Sequence, residues 1–68
     1  MSLMQLTVNG QLGTHEVSNL SGLLDELGLT QKPCAVEVNR ELVPASAQAW
    51  CPLHEGDRIE IVTFVGGG

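Results

Sequence analysis

One stretch of this chain has the period of a helix, and every other patterned stretch has the period of a strand. Leu20, Leu23, Leu24 and Leu27 recur at i, i+3, i+4 and i+7, which places them on one helix face. Asn19 stands before them as a good N-cap, with Ser18 as a rival one residue earlier. Gly28 follows as the left-handed residue that stops the helix. Asp25 and Glu26 fall on the opposite, wet face. Gly22 inside the helix costs about 1 kcal/mol relative to Ala, so the helix depends on packing. Its leucines read as core rather than as a cofactor box. A chain of 68 residues has room for one domain. A domain of that size buries only about 60% of the surface its unfolded chain exposes. A single one-faced helix in such a chain must therefore cover one face of a sheet.

The strands are read from alternation. Leu3 to Val8 alternates and is followed by Asn9-Gly10, the pair that supplies both positive φ angles of a type I′ turn. Gln11 to Val17 returns as a second strand with Leu12, Thr14 and Glu16 on one face. Gly13 marks a bulge or a weak edge there. After Pro33, the segment Cys34 to Val38 alternates again. Asn39-Arg40 then turns the chain into Glu41-Leu42-Val43, ended by Pro44. Arg40 is a poor substitute for glycine at its position, which predicts a looser hairpin. Ala45 to Leu53 reads as a helical turn and a short edge strand, since Pro52 argues against a long central one. His54 to Asp57 is a turn. Arg58 to Phe64 is the strongest strand by β-branched content and alternation.

The order is hairpin, helix, hairpin, final strand. The last strand is the most apolar, which suits a central position. With the first and last strands both central, they run parallel and the helix crosses the sheet. This predicts an α+β fold of the β-grasp, ubiquitin-like arrangement, a mixed sheet of four to five strands packed on one helix. The division expected is a domain over 1–65 and a glycine tail over 66–68.

Composition narrows the function. Eight acidic residues against three basic ones give a net charge of −5, which repels phosphate backbones and argues against a nucleic-acid partner. A basic groove on another protein is the better match. No apolar run reaches the roughly 18 residues a spanning helix needs, and the first residues lack a signal core. The expected setting is the cytoplasm, away from membranes. Met1-Ser2-Leu3 reads equally as native sequence or as an added leader before Met4. Cys34 and Cys51 match no zinc or redox spacing, and His15 and His54 complete no metal set. The plain reading of the two cysteines is a pair of small apolar side chains, and the other reading is a mechanistic thiol.

At this point the chain resembles the ubiquitin-like sulfur carrier proteins of thiamine biosynthesis. The resemblance covers nearly the whole sequence. It rests on the Asn9-Gly10 hairpin, the helix ending in Leu27-Gly28-Leu29, and Ala35 to Asn39 followed by Val43-Pro44. Its most specific part is Glu55 to Val62 and then Val65-Gly66-Gly67-Gly68. Arg40 and Gly22 depart from the pattern, and both bear on stability more than on chemistry.

Three terminal glycines are ordinarily a floppy end. Here they follow the best strand, and the family ends the same way. Glycine lacks a Cβ, so Gly66 to Gly68 fit a narrow channel. A terminal carboxylate, with a pKa near about 3.5, is ionised at neutral pH and is a poor electrophile. It needs conversion to a mixed anhydride, yet the chain has no phosphate loop with which to bind ATP. The activating chemistry must belong to a partner. The resemblance implies that an ATP-using, adenylating (E1-like) activating enzyme adenylates the carboxylate of Gly68. A sulfur-donor enzyme then leaves a thiocarboxylate, which delivers sulfur to thiazole synthase. Gly66 and Gly67 give access, no side chain is a catalyst, and the chain binds no cofactor of its own.

Phe64 and Trp50 are the only aromatics. Phe64 either packs in the core or, with Val62 and Val65, forms an apolar docking surface at the mouth of the tail, and the second reading is preferred. Trp50 has no assigned place. Glu55, Asp57 and Glu60 form a solvated face or steer the tail toward a basic partner. Arg58 reads as a surface charge paired with a neighbouring acid. The competing functions are a molybdopterin synthase small subunit, which uses the same thiocarboxylate, a ubiquitin-like modifier joined to lysines, and an interaction module with an inert tail.

Overall fold

Asn9 and Gly10 close the first hairpin with φ angles of 48° and 83°, the left-handed pair that a type I′ turn requires. The structure, a computed structural model, describes residues 3–30 and 32–64. Strands β1 (Leu3–Val8) and β2 (Gln11–Glu16) pair antiparallel from Leu3 opposite Glu16 to Val8 opposite Gln11. The register runs unbroken past Gly13, which lies opposite Leu6, so the bulge does not form and the weak-edge alternative holds. The missing side chain leaves room for the His15 ring, whose Nε2 would stand 3.3 Å from a Cβ at Gly13.

Helix α1 (Leu20–Glu26) begins where its cap places it. Asn19 Oδ1 accepts a hydrogen bond from the Gly22 N–H at 2.8 Å. The same oxygen would lie 3.3 Å from a Cβ on residue 22, which gives that glycine a packing reason. Leu20, Leu23 and Leu24 are buried. Leu27 is not, contrary to the four-leucine stripe, because the helix stops one residue before it. Gly28, at φ 75°, turns the chain, and its N–H donates to the Asp25 carbonyl at 3.0 Å. The Leu29 N–H donates to the Leu24 carbonyl at 2.8 Å. This is a Schellman stop, and Leu29 packs on the core in place of Leu27.

Strands β3 (Cys34–Val38) and β4 (Glu41–Val43) form the second hairpin. It is as tight as the first, not looser: Val38 lies directly opposite Glu41, with Asn39 at φ 52° and Arg40 at φ 70°. The reason lies outside the turn. Asn39 donates its N–H to the Arg58 carbonyl at 2.7 Å and accepts at Oδ1 from the Arg58 N–H at 3.0 Å. These bonds hold the turn shut although Arg40 sits in a conformation that disfavours side chains.

The segment after Pro44 makes a short second helix, α2 (Ala45–Gln48), and then a single bridge between Asn19 and Pro52. Gln48 Nε2 ties α2 to the sheet through the carbonyls of Cys34 and Val43, at 3.3 and 3.4 Å. The last strand, β5 (Arg58–Thr63), is central in the order β2-β1-β5-β3-β4. It runs parallel to β1 and antiparallel to β3. Met4, Leu6, Val36, Ile59 and Ile61 face α1 and form the core with its leucines, Val17 and Leu53. Each fully buried side chain of this kind contributes roughly 1.5–3 kcal/mol. This is the mixed five-stranded β-grasp sheet expected from the sequence, with α2 added to the single expected helix. The helices cover one face of the sheet, and the other is open.

Candidate functional site

Period-2 alternation sorts the residues of β5 between the two faces. Ile59 and Ile61 point into the core, so Arg58, Glu60 and Val62 point outward. Val62 is 60% exposed and Phe64, the last described residue, is 62% exposed. Phe64 therefore does not pack in the core. Its backbone N–H reaches the Pro33 carbonyl at 3.3 Å, and Cys34 lies opposite Thr63. The chain is thus held to the β3 side as far as Phe64. Val65, Gly66, Gly67 and Gly68 lie outside the described residues, as does the boundary between 1–65 and 66–68.

The open face carries more apolar surface than the sequence reading assigned to it. Leu42 on β4 is 67% exposed, and Leu3 and Leu12 are exposed near the opposite edge. Leu42 pairs with Glu37, which in turn stands opposite Glu60. The face near the tail therefore combines Leu42, Val62 and Phe64 with two carboxylates on adjacent strands. Like charges directly opposite each other destabilise a sheet, so this pair is unfavourable in the free domain. Alternation within β4 marks Leu42 as outward, but only the strand order brings it to the same side as Val62.

The acidic residues divide into two groups. Glu60 lies on the open face. Glu55 and Asp57 instead brace the turn before β5. Glu55 Oε1 accepts from the Gln5 N–H at 2.9 Å, and Asp57 Oδ2 accepts from the His54 N–H at 2.8 Å. Asp57 Oδ1 takes the Asn39 amide at 2.9 Å. Asp57 is therefore a structural group rather than part of a solvated steering face. Among the described residues Arg58 makes no ion pair, and the close imidazole–carboxylate contacts are His15 with Glu26 and His54 with Asp57.

Both cysteines are free and half-buried. Burial and then the charge of Asp57 push the Cys51 thiol above its ordinary value. Among the described residues, no three His, Cys, Asp or Glu side chains group closely enough to hold a metal ion. None of their helices is long and apolar enough to cross a membrane.

Comparison with known proteins agrees with this geometry. Residues 4–68 match the model of the ThiS family. Two curated relatives are thiazole synthases, from Paramagnetospirillum magneticum (42% identical) and Magnetococcus marinus (38% identical). Each match spans 66 residues, 96% of this chain but 20% of the relative, so the chain spans about a fifth of the length of these relatives. The crystal structure of a thiamine biosynthesis protein (ThiS) from Geobacter metallireducens is 35% identical, with a TM-score of 0.78. That match covers 96% of this chain and 100% of the other. The chain belongs to the ThiS family.

Proposed function

We propose that this chain carries sulfur for thiazole formation on the carboxylate of Gly68. The observation that carries the reading is the family match, which runs through Val65-Gly66-Gly67-Gly68 to residue 68. A partner activating enzyme transfers AMP from ATP to the carboxylate, releasing pyrophosphate. A sulfur-donor enzyme supplies sulfur at the sulfide level, or as a persulfide whose acyl disulfide a thiol then cleaves, and this displaces AMP and leaves a thiocarboxylate. Thiazole synthase takes that sulfur into its substrate in exchange for an oxygen from the substrate's carbonyl or from water, which restores the carboxylate. The two relatives named thiazole synthase contain a stretch similar to 96% of this chain, which supports thiazole synthase as the acceptor.

The chain's own part is positional. Gly66 and Gly67 lack side chains, so the tail can thread a channel too narrow for a Cβ. Exposed Val62 and Phe64, with Val65, give the activating enzyme an apolar surface at the root of that tail. Glu37 and Glu60 favour a basic partner surface over an acidic one. No side chain of this chain acts as a catalyst, and ATP is bound by the partner. A soluble, cytoplasmic setting suits enzymes that use ATP.

The test is mass spectrometry after incubation with ATP, an activating enzyme and a sulfur source. A carrier exchanges one oxygen for sulfur in the fragment containing Gly68. Attachment to lysines of other proteins would instead identify a modifier, and an unchanged mass would identify an inert tail. Gly67→Leu should abolish the exchange and leave the folded spectrum intact. Exchange at the normal rate in that variant would overturn the narrow-channel argument. Co-purification with thiazole synthase, rather than with a molybdopterin synthase large subunit, checks the pathway.

A further inference from the structure

Trp50 is the only tryptophan of the chain, and it is 82% exposed. It follows α2 in a turn closed by its own N–H, which donates to the Ala47 carbonyl at 3.1 Å. A domain with so thin a core leaves its largest apolar side chain in water, although burying it would contribute more than any leucine. The ring borders a groove of about 420 Å³ between the β3–β4 hairpin, α2 and the turn before β5. Val43, Pro44 and Ala47 continue its apolar wall, and Glu41 and Asp57 supply carboxylates. No lysine or arginine lines it.

The Asp57 side of the polar wall is held in place by hydrogen bonds. Asp57 is fixed on one oxygen by the His54 N–H and on the other by the Asn39 amide. The exposed His54 ring lies 3.9 Å from the same carboxylate. The charge of Asp57 also reaches Cys51 on the groove wall, where it adds to burial in raising the thiol.

These features select a ligand by shape and charge. A flat aromatic face beside two carboxylates, on a molecule of net charge −5, excludes anions. A purely apolar ligand would strip water from the carboxylates and return nothing. A lysine ammonium is a compact, strongly hydrated charge. An arginine guanidinium is planar, weakly hydrated, and stacks on indole while its edge still donates to carboxylates. We propose that this groove docks an arginine-bearing segment of a partner protein, with the guanidinium on Trp50 and its charge toward Glu41 and Asp57.

The position of the groove gives the proposal its consequence. The carboxylates lie toward the Arg58 end of β5, with Glu41 level with Ile59 through Val38, while Val43 on the apolar wall is level with Ile61 through Val36. Val62 and Phe64 do not line the groove, so a partner held there leaves both side chains exposed. One protein can therefore grip the domain while a second works on its terminus. The inference does not depend on the chemistry at Gly68.

The experiment titrates the full, isotope-labelled chain with a capped Gly-Arg-Gly peptide and reads the Trp50 indole N–H resonance and fluorescence. Matched titrations use the citrulline peptide, the lysine peptide and free arginine. The arginine peptide should give a saturable shift, at least about tenfold tighter than the citrulline peptide. Glu41→Gln should weaken it several-fold, while Glu60→Gln on the open sheet face should not. In Trp50→Ala, which loses only an exposed side chain, the backbone amides around Ala47 should no longer shift. Equal response to arginine and citrulline, equal loss in the Glu60 variant, or no saturable shift would overturn the proposal. So would a lysine peptide or free arginine that binds as tightly as the arginine peptide.

Discussion

Asn9 and Ile61 exchange two hydrogen bonds across the centre of the sheet. Asn9 Oδ1 accepts from the Ile61 N–H at 2.7 Å, and its Nδ2 donates to the Ile61 carbonyl at 3.2 Å. The Asn9 backbone N–H also donates to the Ile59 carbonyl at 2.9 Å. β1 pairs with β5 through only Thr7–Arg58 and Val8–Ile59 before it turns away. The Asn9 amide then takes the place of the next strand residue and extends the ladder toward the tail. Asn9→Gly keeps the left-handed φ and removes only the side chain. It should lower stability by about 2 kcal/mol, two net hydrogen bonds, read as a lower urea midpoint with unchanged slope. A loss below about 0.5 kcal/mol would mean that water replaces the amide.

The second hairpin makes the opposite prediction. Arg40 sits at φ 70° and is held there by the Asn39 bonds to β5. Left-handed backbone costs a side-chain-bearing residue roughly 1–2 kcal/mol, and glycine's extra freedom in the unfolded chain returns about half of that. Arg40→Gly should therefore stabilise the domain by about 0.5–1 kcal/mol in the same urea assay. A decrease would show that the Arg40 side chain makes a stabilising contact that outweighs its strain.

These two asparagines also mark how far the sequence could be read. Period and turn chemistry located the strands of the sheet, α1, its cap and its stop, because each depends on neighbours along the chain, but the short edge strand read within Ala45 to Leu53 is only the single Asn19–Pro52 bridge. The apolar content of β5 implied its central place. The side-chain bonds of Asn9 to Ile61 and Asn39 to Asp57 span 52 and 18 residues, and nothing local signals them. The same holds for the bracing role of Asp57, which reads as a solvated acid until its partners are brought to it. Leu27 failed as a core residue because it is the C-cap at the Gly28 stop and stays partly exposed, and Leu29 packs on the core instead. At the site, exposure of Val62 follows from alternation. The alignment of Leu42, Glu37 and Glu60 needs the strand order. Trp50 has no periodic neighbour, so its groove was invisible.

Cys51 should be a slow nucleophile. Burial first, and Asp57 second, hold its thiol above the ordinary value of 9.0, so less thiolate is present at neutral pH than in a free cysteine. In a Cys34→Ser background, the pH profile of alkylation by iodoacetamide should inflect above that value. Asp57→Asn should lower the inflection only partly, because burial remains. The linkage has a definite sign. The folded state binds this proton more tightly than the unfolded state, so stability falls as pH rises past the unfolded thiol's value. An inflection at or below the ordinary value would remove the effect.

Val62 and Phe64 separate folding from docking. Both are mostly exposed, so Val62→Ala and Phe64→Ala should each stay within about 0.5 kcal/mol of the parent in urea. If they anchor the activating enzyme, the same variants should slow thiocarboxylate formation at limiting enzyme by at least about tenfold, equivalent to roughly 1.4 kcal/mol of lost docking. Leu12→Ala is the control, since Leu12 is equally exposed but lies on β2, at the edge of the sheet beyond β1. It should leave the rate unchanged. Glu60→Gln should raise the apparent KM at low ionic strength and have little effect at high salt, where the field of Glu37 and Glu60 is screened. Equal slowing by Leu12→Ala would make the effect one of general surface apolarity. An unchanged rate in Phe64→Ala would move the docking surface away from the root of the tail.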